Sequence, residues 1–265
     1  MDLLRFYKYC PWDITKNEHI RDNLLKSILY FQTPTLLNDP FELFPSIKTD
    51  NTQQQMKKLI ANFYKKHGWS KNKAQRFAIE ELRRNPILRT ASGQKTYSEE
   101  FSQGLRERVG ICSFTAAPKN LLMWAHYADF HKGICLQFDF PESQSIVYPP
   151  PEQQRYPLEV YPVKVTYSSR RPKFSIFNMS LADINDLFLI KSEDWKYEDE
   201  YRAITPYAGC FYYPSHFLTG IIAGKRMDYA DLEDLQTIVH KMQFQPQIYT
   251  TNLHNDVFGL TISKL

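Results

Sequence analysis

Three acidic and two basic residues lie close together in the segment Trp195-Lys-Tyr-Glu-Asp-Glu-Tyr-Arg202, and their spacing could serve catalysis. If the segment is a strand, Glu198, Glu200 and Arg202 project from one face, because residues two apart share a side. In a cleft, the carboxylates can bond a sugar hydroxyl and stabilise positive charge at an anomeric carbon, while Arg202 holds a carboxylate or phosphate. Facing water, the same row is an ordinary salt-bridged sheet surface. These three residues are therefore the catalytic candidates, with the sheet surface as the alternative.

A second group of polar aromatic side chains lies in residues 121–131, which have the pattern of a short helix. Trp124, Tyr127 and His131 fall on one side of that helix at spacings of three and four. Trp124, His126 and Tyr127 are candidates for contact with a substrate or cofactor. The alternative is that the aromatic residues anchor the core and the histidines lie at its rim.

The same segment raises the question of a metal site, since His126, Asp129 and His131 could each bind an ion. The two histidines are five residues apart, however, and the H-E-x-x-H spacing of four is absent. The cysteines also lack paired metal-binding spacing. We therefore predict no metal. The sequence also lacks a G-x-S-x-G elbow and both the Walker and the dinucleotide fingerprints.

Positive charge is concentrated between Met56 and Lys95, although the whole chain carries only +4. This segment contains eleven Lys or Arg residues and two acids, a net charge of +9. Such a patch is typical of a surface that binds nucleic acid, because neutralising phosphates releases counterions. The candidate nucleic-acid contacts are Lys65, Lys66, Arg83 and Arg84. The alternative is a solvated helical face that keeps the protein soluble.

Alternating apolar residues predict that strands predominate in the elements that position these side chains. Strands are predicted at Leu3–Tyr9, Leu29–Gln32, Ile111–Thr115, Ile134–Phe140, Val160–Tyr167, Glu198–Thr205, Leu218–Ala223, Ile248–Thr250 and Val257–Ile262. Helices are predicted at residues 17–28, 121–131 and 229–242, with two more in the basic segment. The pattern favours an α+β fold around a mixed, mostly antiparallel sheet. We predict a single domain, 1–265, with a basic helical insertion at 51–107.

A chain of 265 residues can bury a core without disulfides. The four separated cysteines fit that expectation, as small buried apolar residues. No window approaches the roughly 20 apolar residues of a membrane helix, and the first residues do not resemble a leader peptide. We expect a cytoplasmic protein without a membrane partner. The proline-rich loop at 149–157 is either a lid or a connection.

Several short segments together resemble a bacterial family known only as domain-of-unknown-function family 2971. The segments are Phe6–Tyr9, Tyr30-Phe31, Asn38-Asp39-Pro40-Phe41, Cys112–Phe114, Leu122–Asp129, Lys132–Leu136 with Phe138, and Trp195–Arg202. The resemblance covers most of the chain outside the basic helices. It implies a single cytoplasmic domain associated with defence or stress loci, without an established activity. The turn within it adds Asn38 and Asp39 to the candidates for substrate or cofactor contact.

A second resemblance, to the ADP-ribosyltransferase superfamily, is carried by Tyr7-Lys8, Ser113-Phe-Thr115 and Glu198-Asp-Glu200, in that order. In this superfamily a split mixed sheet binds NAD, and an early basic or aromatic residue, a middle hydroxyl motif and a late glutamate line the cleft. The resemblance implies that Glu200 bonds the nicotinamide ribose and stabilises an oxocarbenium-like transition state. It also implies that Glu198 positions the acceptor and that Ser113 supports the cleft wall. Lys8 departs from the usual His or Arg, which leaves the adenosine-side contact undetermined.

The leading hypothesis is therefore an NAD-using ADP-ribosyltransferase or NAD glycohydrolase that acts as a bacterial toxin or defence effector. Its basic helices would hold a nucleic acid or an acidic partner. The alternative is a non-catalytic nucleic-acid-binding or regulatory module in which the same acids and aromatic residues are structural.

Overall fold

The computed structural model describes residues 3–13, 15–16, 18–47, 53–150, 158–174 and 186–265. Residues 151–157 of the proline-rich loop, which is predicted to be a lid or a connection, lie outside this range.

Strands and helices follow the chain in a mixed order. The strands are β1 (Leu3–Cys10), β2 (Ile28–Phe31), β3 (Ser46–Ile47), β4 (Gly110–Thr115), β5 (Ile134–Pro141), β6 (Val163–Lys164), β7 (Thr166–Ser168), β8 (Lys173–Phe174), β9 (Ile190–Ser192), β10 (Glu200–Thr205), β11 (Gly209–Tyr212), β12 (Leu218–Ala223), β13 (Gln247–Leu253) and β14 (Leu260–Lys264). The helices are α1 (Glu18–Leu25), α2 (Gln53–Lys66), α3 (Lys71–Arg84), α4 (Ala91–Arg108), α5 (Leu121–Tyr127) and α6 (Tyr229–Lys241).

The chain packs as two compact units. The first unit comprises Met1–Thr33, Val109–Val165 and Asp194–Leu265, and the second comprises Pro34–Arg108 and Thr166–Glu193. The predicted insertion at 51–107 falls inside the second unit, which also takes in segments on both sides of it and a stretch far along the sequence.

An eight-stranded sheet forms the first unit, in the order β14-β13-β12-β5-β1-β4-β10-β6. Neighbouring strands are antiparallel except β12 and β13, which run parallel. The prediction of an α+β fold with a mixed, mostly antiparallel sheet is confirmed.

Apolar side chains cover both faces of this sheet. On one face Phe6, Phe114, Phe138 and Phe140 form a cluster with ring centroids 5.3 to 6.3 Å apart. Edge-to-face packing in this range adds to the free energy gained by burial. On the other face a smaller cluster surrounds Trp124. The second face also carries the polar residues described below.

A helical hairpin is the main feature of the second unit. Buried Met56 and Ile60 of α2 pack with Ala74, Ala78 and Leu82 of α3, which gives each helix an apolar stripe and leaves its other side to solvent. The Ser70 hydroxyl accepts a hydrogen bond from the Lys73 amide and so caps the N-terminus of α3.

Several element boundaries differ from their predictions, and two of them affect the candidate residues or their neighbours. The helix predicted over 17–28 ends at Leu25, because Ser27 adopts a left-handed φ of 54° and Ile28 enters β2. The strand predicted over 198–205 begins only at Glu200, because residues Glu193–Glu198 form a 3-10 helix.

Candidate active site

Three neighbouring strands bring the sequence candidates to one face of the large sheet. Tyr7 of β1 pairs with Thr115 of β4, and Thr115 pairs with Glu200 of β10. Two residues further along β10, Arg202 pairs with Ser113 of β4. Because paired residues in a sheet share a face, Tyr7, Ser113, Glu200 and Arg202 all belong to the face that packs against α5.

Glu200 and Arg202 form a buried, two-pronged ion pair. The Arg202 Nε atom lies 2.9 Å from Oε1 of Glu200, and Nη2 lies 3.2 Å from Oε2. The Ser113 hydroxyl donates a third hydrogen bond to Oε1 at 2.6 Å. Only 2% of Glu200 and none of Arg202 is exposed. A fork of this kind fixes the orientation of the carboxylate and offsets part of the cost of burying both charges.

Glu198 is positioned by a 3-10 helix and not by the predicted strand. It ends the 3-10 helix, and Asp199 then takes a left-handed φ of 43° before the strand starts at Glu200. The prediction that Glu198 and Glu200 project from the same face of one strand is therefore wrong, because Glu198 precedes the strand. Asp199 turns outward, where its carboxylate lies 2.9 Å from Lys164 Nζ. Glu198 is only 3% exposed, and its Oε1 accepts a hydrogen bond of 2.5 Å from the Tyr127 hydroxyl.

Helix α5 is fastened to the segment that carries the two acids. Its N-cap residue, Asn120, accepts hydrogen bonds from two amides of the first turn and donates from Nδ2 to the Tyr197 carbonyl at 2.7 Å. A hydrogen bond of 3.0 Å joins His126 Nδ1 and the Tyr197 hydroxyl. Together with the bond from Tyr127 to Glu198, these contacts hold α5 against the residues that directly precede β10.

Trp124 has a different role from its two neighbours on α5. It is fully buried, its Nε1 donates to the Pro118 carbonyl at 2.9 Å, and it packs edge-to-face against Tyr9 at 5.1 Å. It thus anchors the helix to the sheet, as in the core-anchor alternative. His126 is exposed at the rim.

Tyr7 and Lys8 point in opposite directions from β1, although the sequence pairs them as one motif. Lys8 Nζ lies 3.4 Å from the Ser113 carbonyl oxygen and 6.0 Å from the Phe114 ring. Burial alone lowers the pKa of Lys8, but the neighbouring thiols of Cys112 and Cys10 and the Glu200 carboxylate outweigh it, so the pKa is raised. Burial raises the pKa of Tyr7, against the opposing effect of Arg5. Tyr7 is therefore a neutral phenol at physiological pH and Lys8 a cation.

Asn38 and Asp39 belong to the second unit, whereas the residues around Glu200 belong to the first. Asn38 is exposed. Asp39 is buried, and its Oδ1 accepts a hydrogen bond of 2.8 Å from the Phe41 amide. This bond closes an Asx turn, which gives Asp39 a structural role.

The four nucleic-acid candidates also lie in the second unit, and all four are exposed. Lys65 and Lys66 end α2, whereas Arg83 and Arg84 end α3. In a hairpin of two 14-residue helices these pairs lie at opposite ends, roughly 20 Å apart. Glu80 partly neutralises Arg83 and Arg84, at 4.0 and 3.1 Å.

The sequence analysis missed a left-handed turn that follows α5. Asp129, Phe130 and His131 have φ values of 43°, 53° and 72° in succession. Non-glycine residues rarely adopt this conformation even singly. Gly224 packs so closely against the turn that a Cβ atom there would lie 2.1 Å from the His131 carbonyl oxygen. The sequence signals for this turn are two glycines, Gly133 after α5 and Gly224 after β12.

Within the described ranges, no group of three or more His, Cys, Asp or Glu side chains is placed to hold a metal ion. In the same part of the chain, no helix is both long and apolar enough to cross a membrane.

Residues 123–203 match the model of a family described as a protein of unknown function (DUF2971). The match supports the first resemblance and contains Tyr127, Glu198 and Glu200, whereas Tyr7 and Ser113 precede it. No curated protein and no solved structure gives a match. The resemblance to ADP-ribosyltransferases stays a prediction.

Proposed function

We propose that the chain cleaves the bond between nicotinamide and ribose in NAD, as an ADP-ribosyltransferase or an NAD glycohydrolase. The observation that carries the proposal is the meeting of Tyr7, Ser113 and Glu200 on one face of three adjacent strands, with Ser113 bonded to Glu200. The three motifs are separated in sequence by about a hundred residues each, so their meeting is not a consequence of local spacing.

The chemistry assigned to these residues follows from the charge that develops as the glycosidic bond breaks. The anomeric carbon becomes positive, and a fixed carboxylate beside it stabilises that charge without reorganising. Ser113 and Arg202 fix the Glu200 carboxylate in advance. Glu198 would orient the attacking water or acceptor hydroxyl, and Tyr127 would hold Glu198 in place. Tyr7 would offer an aromatic face to the nicotinamide ring.

Substrate access requires a movement. Because only 2% of Glu200 and 3% of Glu198 is exposed, NAD can reach these carboxylates only after the surrounding structure opens. Active sites that open to admit the substrate and then close over it are common in enzymes that exclude water from a reactive cation. In a bacterial cell such an activity would make the chain a toxin or a defence effector.

The test is incubation of the purified protein with NAD, with and without mixed nucleic acid, followed by quantification of nicotinamide and ADP-ribose. Release of both in equal amounts supports hydrolysis. Nicotinamide in excess of ADP-ribose supports transfer to an acceptor. No nicotinamide under any condition contradicts the proposal.

A second role is favoured by the exposure of all eleven basic side chains between Lys57 and Lys95. A surface of this charge attracts polyanions, so we propose that the second unit binds nucleic acid. This role does not depend on the NAD chemistry and is the role expected of a non-catalytic module.

A further inference from the structure

Two cavities in the second unit share Phe44 and Arg171 in their walls. One has a volume of about 220 Å³ and also includes Phe41 and Arg170; the other has a volume of about 500 Å³ and also includes Lys95 and Glu99, which form an ion pair at 3.8 Å. The larger falls within the range of about 300 to 1,000 Å³ typical of small-molecule sites. Both therefore combine an aromatic ring with cations.

A rigid turn presents the two phenylalanines to solvent. Leu43 adopts a left-handed φ of 48° and is buried, which leaves Phe41 and Phe44 on either side of it 56% and 42% exposed. The turn is held by the Asp39 carboxylate at the Phe41 amide and by the Ser102 hydroxyl, which donates to the Leu43 carbonyl at 3.0 Å. The turn thus fixes the positions at which these two partly exposed side chains leave the backbone.

Two guanidinium groups lie beside these rings. The Arg171 carbon Cζ is 5.6 Å from each of the two ring centroids, and that of Arg106 is 5.4 Å from Phe44. Both distances are within the reach of cation–π attraction. The Arg106 Nε atom is buried and has no hydrogen-bond partner within the described ranges. Two guanidinium groups next to one ring favour an anionic ligand beside them.

We propose that Phe41, Phe44, Arg106 and Arg171 form a base-stacking groove for single-stranded nucleic acid. A base would stack on Phe44 while its phosphate is held by Arg171, the combination that sequence-independent single-strand binders use. The net charge of +9 between residues 56 and 95 of the same unit selects a polyanion over an uncharged aromatic ligand. An acidic protein would satisfy the cations but would leave the ring faces without stacked bases. The inference rests on the second proposed role and assigns it a site.

The experiment measures fluorescence anisotropy with two labelled probes, an oligothymidylate of about 12 nucleotides and an abasic strand of equal length. The variants are Phe44→Leu, which removes the ring but keeps an apolar side chain, and Arg171→Gln. Lys71→Gln is the control, since it removes one exposed charge on α3 away from these rings. Thermal melting of each variant establishes that it is folded.

The groove predicts that oligothymidylate binds at least about fivefold tighter than the abasic strand, the lower bound for one stacked base. Phe44→Leu should remove most of that difference, and Arg171→Gln should weaken oligothymidylate more than Lys71→Gln does. Equal, salt-sensitive binding of both strands would overturn the groove and leave polyanion binding in place. No binding of either strand would overturn both.

Discussion

The pair Glu200–Arg202 is the most consequential contact at the scale of single residues. Both groups are almost fully buried, so each depends on the other to offset its desolvation. Ser113 adds a neutral donor to the same carboxylate oxygen that Arg202 Nε contacts. Such a network is worth more than its separate bonds suggest, because removing one member takes a partner from each of the others.

This coupling predicts a strongly non-additive mutant cycle. Glu200→Gln and Arg202→Met should each lower the free energy of unfolding by about 3–5 kcal/mol, since each leaves a buried charge with less compensation. The double variant removes both charges and should recover at least about 2 kcal/mol of the summed loss. Urea unfolding of the four proteins measures the cycle. Additivity within about 0.5 kcal/mol would show that the two side chains are not coupled.

At the scale of elements, the left-handed turn after α5 determines how the chain passes from this helix to β5. Three consecutive residues hold an unfavourable backbone conformation, and the turn reverses the chain directly after Tyr127 and leads into β5. The Arg226 amide donates to the His131 carbonyl at 2.9 Å, and the Gly224 amide donates to the Gly133 carbonyl at the same distance. Backbone bonds from the end of β12 thus support the strain.

The strain predicts an inverted order of two substitutions at Phe130, which is 67% exposed. Glycine accepts its φ of 53°, whereas alanine keeps the Cβ atom that makes this conformation costly. Phe130→Gly should therefore be more stable than Phe130→Ala by about 1 kcal/mol, the reverse of their order in a helix. Chemical denaturation of both variants decides the matter. Phe130→Ala at equal or higher stability would mean that the turn is not strained as described.

Sequence periodicity predicted most of the elements because β1, β4, β5 and β12 carry apolar residues at every second position or throughout. It failed at Glu198, because the spacing of two between Glu198 and Glu200 extended the predicted strand beyond the residue at which β10 begins. The left-handed φ of Asp199 is invisible to a period-two count, since such a count records where apolar and polar residues fall and not the φ of each residue.

The candidate site was predictable in its residues but not in its contacts. The motifs around Tyr7, Ser113 and Glu200 could be placed on strands from the sequence, but only the strand order made β1, β4 and β10 neighbours. The bond from Asn120 to Tyr197 spans 77 positions and depends on how α5 crosses the sheet. Nothing in local spacing encodes it.

At the scale of the whole molecule, the division of charge is the main feature. The first unit carries the buried acids of the candidate active site, and the second carries the exposed cations of α2 and α3. The two proposed roles can therefore be tested separately, by changes confined to one unit at a time.

For the second unit we predict a change in salt dependence. Replacing the four candidate cations by Gln should reduce the slope of log affinity against log salt by up to about 3 for a single strand, if all four contact phosphate. The four are Lys65, Lys66, Arg83 and Arg84. A control with the same total charge replaces four exposed lysines of the first unit, Lys119, Lys225, Lys241 and Lys264. An equal slope change in the control would show that net charge, and not this surface, governs binding.

The most direct test of the central claim is the rate of nicotinamide release from NAD by the wild type, by Glu200→Gln and by Glu142→Gln. Glu142 is an exposed acid of the same unit and serves as the control. Rates are compared per folded molecule, well below each melting temperature, because Glu200→Gln is expected to be less stable. We predict release by the wild type and Glu142→Gln, and a loss of at least about a hundredfold in Glu200→Gln. Undiminished release by Glu200→Gln, or none by the wild type, would contradict the account.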